Sequence, residues 1–331
     1  MSTENLSLKK IVPHSDAPWM ASIGRLAALF VLIVLMTLLT RSPDEGFVFL
    51  NKANLLNIAR NASILIIIGI GETITLIAKD IDLSIGSVIT LTSVLAGIMM
   101  SHLNIPIPVA ILSSLITGIL IGLVNGLLIT KAGLPPFIAT YGMLWVVYGM
   151  AYLILKGGTL FGFPQSFRYW GTGRLLGIPM PIFVMLITFA VFYVLVNHTT
   201  LGRRFFAAGA NPEAAKMSGV KVDQTVIIAY IISGFLAAFA GLVLLAYSNG
   251  STSTTGDAYL LPIIAVVVIG GTSLAGGDGS LTGTMIAALI MATINNGMNI
   301  LAVPGTWQKL VVGVLIIGAV LMDLWIRRRG K

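Results

Sequence analysis

Apolar residues in this chain arrive in long runs that charge rarely interrupts, and a run of about twenty such residues is what an α-helix needs to cross the hydrocarbon core of a bilayer. The runs fall at roughly Ser22 to Thr40, Ala62 to Ala78, Gly86 to Ser101, Pro108 to Thr130 and Phe137 to Leu155, then Ile178 to Val196, Thr225 to Ala246, Tyr259 to Ala275, Leu281 to Leu301 and Leu310 to Ile326. Of the 331 residues, 56% are hydrophobic and 10% charged, against about 25% charged in a soluble domain; the chain could not cover its own surface in water. The same composition excludes disorder, and the lack of a two-residue alternation excludes a closed barrel. The expected fold is all-α, a single polytopic bundle over residues 1–331 with about ten transmembrane helices. Ala62 to Ala78 and Gly86 to Ser101 are short and broken by glycine, the pattern of a broken or re-entrant segment lining a protein cavity. Eight or nine full crossings are compatible with that pattern.

A polar stretch, Met1 to Ala21, precedes the first run, and no small-residue cleavage site follows a short apolar core, so Ile23 to Leu39 reads as a retained span. With the N-terminus inside, Lys9, Lys10, Arg25, Lys79, Lys131, Arg203, Arg204, Lys216, Lys221, Arg327, Arg328, Arg329 and Lys331 fall on the inner side. Arg41, Lys52, Arg60, Lys156, Arg168, Arg174 and Lys309 fall on the outer side. Thirteen against seven places both termini in the cytoplasm. The net charge of +8 then belongs to a membrane protein's inner loops and the lipid surface rather than to nucleic-acid binding. Arg41 to Asn61 carries Phe47, Phe49, Leu50, Leu55 and Ile58 at near-helical spacing, which predicts a helix lying on the outer surface or capping a pore. Lys156 to Gly177 is rich in glycine and aromatics, suited to a membrane interface or to a partner on the outer face. Asn197 to Gln224 is the longest inner connection and the expected cytoplasmic coupling loop.

Within that connection stands Gly209-Ala210-Asn211-Pro212-Glu213-Ala214-Ala215-Lys216-Met217-Ser218-Gly219. Asn211 can cap a helix whose first residue is Pro212, Glu213 suits the positive end of its dipole, and Gly219 can end it. Two further segments are Ile81-Asp82-Leu83-Ser84-Ile85-Gly86-Ser87 and the glycine-rich stretch Gly270-Gly271-Thr272-Ser273-Leu274-Ala275-Gly276-Gly277-Asp278-Gly279-Ser280 with Gly283-Thr284. In this order the three resemble the ribose-type sugar permease family of ATP-binding-cassette importers. Members commonly have two glycines before the Ile-Asp-Leu-Ser stretch; here Lys79-Asp80 stand there. The resemblance implies an inner-membrane permease subunit that pairs with a second permease chain, identical or paralogous. It receives solute from a soluble binding protein outside and is driven by an ATPase subunit inside. No Gly-x-x-x-x-Gly-Lys-Ser/Thr phosphate loop occurs in the chain, so ATP and magnesium belong to the partner ATPase and this chain needs no cofactor of its own. It is expected not to be an enzyme.

The resemblance points to Glu213, Ala214, Ala215 and Gly219 as the ATPase-coupling helix, with Arg203 and Arg204 beside it; the two arginines also read as ordinary positive-inside residues. Glu72 lies inside an apolar run, where a carboxylate is costly enough to count as functional: it faces the pathway, or pairs with Lys79, or acts as the proton site of an ion-coupled secondary transporter. Asp82 and Ser84 read as helix-start residues that could also serve a polar ligand. Asn125, Asn295 and Asn299 are candidates for the translocation path, the last two on one helical face with Asn296 turned away, or they join helices by hydrogen bonds. Gly118, Gly122 and Gly126 form a small-residue face for close helix packing. Cysteine is absent, and His14, His102 and His198 are scattered without a metal-ligand spacing, so neither a catalytic constellation nor a metal site is expected. The function expected is inward translocation of a monosaccharide, pentose or hexose, by alternating access, with a polyol or sugar-derived signal molecule as the alternative cargo.

Overall fold

The computed structural model describes residues 18–42 and 46–329; Lys9, Lys10, His14 and Lys331 lie outside the described residues, as do the side chains of Arg327, Arg328 and Arg329. In chain order the elements are α1 (Pro18–Leu39), β1 (Arg41–Ser42), β2 (Gly46–Phe47), a 3-10 turn (Val48–Leu50), α2 (Lys52–Ile77), α3 (Ile85–Ser101), α4 (Ile107–Thr130) and α5 (Pro136–Leu155). They continue with β3 (Thr159–Phe161), α6 (Gln165–Thr172), β4 (Arg174–Leu175), β5 (Ile178–Pro179), α7 (Met180–His198), α8 (Thr200–Ala210), α9 (Pro212–Met217), α10 (Val222–Ser248), β6 (Gly250–Thr252), α11 (Asp257–Ile269), α12 (Leu281–Ile300) and α13 (Gly305–Arg329). The strands form three two-stranded ribbons, β1 with β2, β3 with β6 and β4 with β5, and the fold is otherwise helical. Among the described residues seven helices are long and apolar enough to cross a membrane, and three shorter apolar segments, Ile85–Ser101, Asp257–Ile269 and Gly305–Gly318, join them. The chain is an all-α polytopic membrane bundle.

Two boundaries differ from the sequence expectation. The outer-surface helix expected within Arg41 to Asn61 is instead the first part of α2: Asn51 caps it by accepting the Ala53 N–H at 3.0 Å, and Leu55 and Ile58 continue the helical period straight into the apolar run. Ile58 and Phe49 are buried, while Phe47, Leu50 and Leu55 stay exposed. With 26 residues, α2 is therefore not the short span. The short ones are α3, with 17 residues, and α11, with 13. At 1.5 Å per residue they reach about 26 and 20 Å, less than the hydrocarbon core of about 30 Å. The apolar run to Ala275 does not stay helical, because Gly270 and Gly271, the latter at φ +85°, end α11.

α10 is the hub. It packs on α2, α3, α4, α6 and α8, and 72% of its apolar window is buried, against 6% for α1 at the rim. Close approach to α4 depends on glycine. A Cβ at Gly118 would fall on the backbone of Gly234, one at Gly122 on the carbonyl of Tyr230, and one at Gly126 on Ile227. The face Gly118, Gly122, Gly126 is thus the contact that lets two helices meet backbone to backbone. Polar pairs join other elements: Thr73 and Thr284 hydroxyls at 2.7 Å between α2 and α12, and Ser93 and Ser251 at 2.9 Å between α3 and strand β6. Placing Val at Gly122 would push α4 off α10 at about 1–3 kcal/mol or more, whereas Gly142→Ala on α5, with nothing within 4 Å, should cost less than about 0.5 kcal/mol. Thermal unfolding of the purified variants in one detergent checks the contrast.

Candidate functional site

Asn211 stops α8 because its backbone is extended (φ −156°, ψ 97°), and its side-chain oxygen accepts the Ala214 N–H at 3.0 Å, with Pro212 at the first position of α9. At the other end Gly219 takes φ +84°, and the N–H groups of Gly219 and Val220 donate to the carbonyls of Lys216 and Ala215, the closing pattern that favours glycine. The two alanines face opposite ways. Ala215 is buried with Ala208, Val222, Val226 and Tyr230; Ala214 is exposed together with Glu213, Arg203 and Arg204, and Met217 is 90% exposed. Lys131, from the turn after α4, and Lys216 of α9 both reach Asp223, at 3.0 and 3.9 Å. The helix is thereby clasped to the α4 end of the bundle.

α8 is held just as tightly at its other contacts. Gly202 lies on the carbonyl of Val196, and Gly209 on the carbonyl of Ile77 and the amide of Gly277, with no room for a Cβ at either. The Ile77 carbonyl, at the end of α2, accepts the Gly277 N–H at 2.8 Å. Three separated sequence segments therefore meet at one point: the stretch before Asn211, the turn leading into Ile-Asp-Leu-Ser, and the glycine-rich loop. Lys79 follows α2 in the left-handed region at φ +79°, with its N–H and that of Asp80 donating back to Leu76 and Thr75. That conformation costs a non-glycine residue about 1–2 kcal/mol, and Gly276 packs against its side chain.

Beyond Lys79 the chain turns inward. The Asp82 carboxylate accepts the Ser84 N–H at 3.0 Å and the Ser84 hydroxyl at 2.6 Å on Oδ1, and the Ser233 hydroxyl of α10 at 2.9 Å on Oδ2. Asn125 of α4 donates from Nδ2 to Ser84 Oγ at 2.9 Å, and Thr140 of α5 donates to the Ile81 carbonyl at 3.1 Å. Glu72 on α2 accepts the Asp82 N–H at 3.4 Å and the Thr75 hydroxyl at 3.2 Å. All of these side chains are buried. One loop is thus tied to five helices, α2, α3, α4, α5 and α10. The Glu72 to Lys79 pairing open in the sequence is not formed: Lys79 is exposed, and the ion pairs among the described residues are those on Asp223.

Glu72, Asp82, Ser84 and Asn125 come together; Asn295 and Asn299 do not join them. Asn299 is exposed and its Oδ1 accepts from Gln308 at 2.9 Å, while Asn295 is half-buried. The inward amide on α12 is Asn296, which donates to Asn54 of α2 at 2.8 Å. Ser233, Thr75, Tyr230 and the Ile77–Gly277 contact escaped the sequence reading, since a lone hydroxyl in an apolar run carries no pairing signal. Two substitutions test the site. Ser233→Ala removes one bond to a buried carboxylate and should lower stability by about 1.5–3 kcal/mol. Lys79→Gly should raise it by about 1 kcal/mol by relieving the left-handed turn. Thermal midpoints of both, on the same preparation as wild type, give the signs.

Comparison with known proteins agrees with this architecture. A family model described as "Branched-chain amino acid transport system / permease component" matches residues 54–320. The chain is 38% identical over 326 residues, 98% of each chain, to the ribose import permease protein RbsC of Bacillus subtilis. It is 35% identical over 315 residues, 90% of this chain and 93% of the relative, to the galactose/methyl galactoside import permease protein MglC of Haemophilus influenzae. To the D-allose transport system permease protein AlsC of Escherichia coli it is 33% identical over 295 residues, 89% and 90% of the two chains. No solved structure gives a significant match. With a family match over most of its length and relatives aligned nearly end to end, the chain belongs to the permease-component family of ATP-binding-cassette importers.

Proposed function

We propose that this chain is the membrane-spanning subunit of a sugar importer, moving a ribose-like monosaccharide, pentose or hexose, inward across a bacterial inner membrane by alternating access. The observation that carries this reading is the near full-length similarity to permeases named for ribose, allose and galactose import. A polyol or sugar-derived signal molecule would use the same machinery. Residues 1–331 act as one permease unit with both termini cytoplasmic and residues 197–224 as the coupling loop. Glu213, Ala214, Ala215 and Gly219 engage a separate ATPase subunit, which holds ATP and magnesium. Arg203 and Arg204 flank that contact on the same exposed side of α8.

What supports this assignment is the exposure pattern: a short, doubly capped helix with Glu213, Ala214 and Met217 outward and Ala215 anchored. A soluble solute-binding protein docks at the opposite end, where Phe161, Tyr169 and Trp170 are exposed, and a second permease chain completes the path. Glu72, Asp82, Ser84 and Asn125 border that path, with Asn295 and Asn299 nearer its outer end. Helix starts and breaks of the α3 kind suit polar solutes. The test is co-purification with the ATPase, comparing wild type, Glu213→Ala and a deletion of 212–219, with labelled ribose uptake in proteoliposomes. Retention of the ATPase by wild type, its loss from the deletion and ATP-dependent uptake are expected. Uptake driven by a proton gradient without any ATPase would overturn the reading.

A further inference from the structure

The connection from α10 to α11 does not stay at the membrane surface. It carries five hydroxyl side chains in succession, Ser251 to Thr255, followed by Gly256 and Asp257, and it runs back along α3. The Ser251 hydroxyl meets that of Ser93 at 2.9 Å, the Gly256 N–H donates to Thr90 Oγ1 at 2.8 Å, and Gly256 lies on the Gly86 carbonyl with no room for a Cβ. The depth of these contacts is fixed by α4, a span of 24 residues. Ser114 of α4 donates to the Thr92 carbonyl and Asn125 of α4 to Ser84 Oγ, so residues 84–92 lie beside residues 114–125, inside that span. Gly256 is thereby held at membrane depth. α11 gives the same level from the other side: at 1.5 Å per residue its 13 residues place Asp257 about 18 Å from Ile269, just before the glycine-rich loop that meets the end of α2.

At that depth the surface is polar and open. Thr254, Asp257 and Ala258 are exposed, whereas Glu72 and Asp82 are 0% and 2% exposed. The Thr252 hydroxyl lies 3.3 Å from that of Thr254 and 3.1 Å from that of Thr255. Among the described residues the Asp257 side chain has neither a hydrogen-bond nor an ion-pair partner. A carboxylate open to lipid inside a span is strongly disfavoured, and backbone that is not helical persists there only within protein or along a water-filled cavity. A second identical chain offers no cation to set against it. The described lysines and arginines lie near helix ends, in loops or on the short helices α6, α8 and α9, apart from Arg25, beside Gly271 and Gly283, and Arg60, on the Tyr247 ring. Water is the remaining neighbour. Hydroxyls that both donate and accept, next to a carboxylate that accepts, match the hydroxyl groups of a neutral sugar.

We propose that the re-entrant segment 252–257 lines the water-filled translocation path at membrane depth, with the Thr254 hydroxyl and the Asp257 carboxylate as contacts for the sugar. The sugar contact rests on the import reading; the aqueous path does not. The chain has no cysteine, so single cysteines report on water directly. Full-length Asp257→Cys, Thr254→Cys and Ile187→Cys, the last an exposed apolar position within the span α7, are placed in nanodiscs and treated with a charged, membrane-impermeant methanethiosulfonate. Modification at 254 and 257 is expected at least about tenfold faster than at 187. If Asp257→Cys does not fold, Ala258→Cys takes its place. Rates at 254 and 257 no higher than at 187 overturn the path. The measurement is then repeated with the ATPase and solute-binding protein present, with and without ribose, which is expected to slow modification at 257 severalfold. Absence of protection in a preparation whose wild type takes up ribose overturns the sugar contact. Fast modification at 257 with a wild type that imports no sugar supports the aqueous path and counts against the import reading alone.

Discussion

A backbone that leaves the helical path inside a membrane protein must find its hydrogen bonds within the protein, since lipid supplies none. The seven residues between α2 and α3 meet that demand through Asp82. One of its carboxylate oxygens serves the start of α3 and the other reaches Ser233 on α10, while Thr140 covers the Ile81 carbonyl. Because the loop is held by groups on three further helices, α4, α5 and α10, besides the two it joins, its position is set by the bundle rather than by local turn preference. Asp82 thereby fixes Ser84, the residue before α3, while the first turn of α3 itself has no side-chain cap.

The second organising feature is how close α4 and α10 come. Interhelical hydrogen bonds are worth little in membranes, about 0.6 kcal/mol on average in one protein studied, so surface contact has to carry association. Gly118, Gly122 and Gly126 on one helix and Gly234 on the other let backbone touch backbone. Asn125 lies on the same helix as those glycines, and its reach to Ser84 at 2.9 Å depends on that approach. Packing and polar network are therefore one construction, and a change in the first is felt in the second.

Much of this is legible in the residues where the cause is local. Asn211, Pro212 and Gly219 act within a turn of themselves, and the glycines of α4 recur at helical spacing, so cap and packing face both follow from residue order alone. Asp82 does not cap α3 as its place before the apolar run suggests: its carboxylate holds the Ser84 N–H and hydroxyl and reaches Ser233, and α3 starts without a side-chain cap. What is not legible lies across the chain: Ser233 is 151 residues from Asp82, and nothing adjacent to it distinguishes it from any hydroxyl in an apolar run. Helical phase separates Asn296 from Asn295 and Asn299, but which side faces inward is decided by Asn54 on another helix. The extent of α2 is hidden because its first three turns are amphipathic, and an amphipathic stretch beside a membrane has two homes, flat on the surface or continuous with the span. The left-handed turn at Lys79 stands where the resembling family commonly has glycine, which makes that family preference a matter of backbone angle.

The contact of Gly209 and Gly277 on the Ile77 carbonyl has a mechanical consequence. Loops rich in glycine are usually where a chain tolerates insertions and cuts, being slack. Here the glycines serve the opposite purpose: each removes a side chain so that three strands of backbone can be clamped at one point. The segment 270–280 is thus a rivet rather than a tether: it joins α8 and the end of α2 by direct backbone contact just before the chain enters α12.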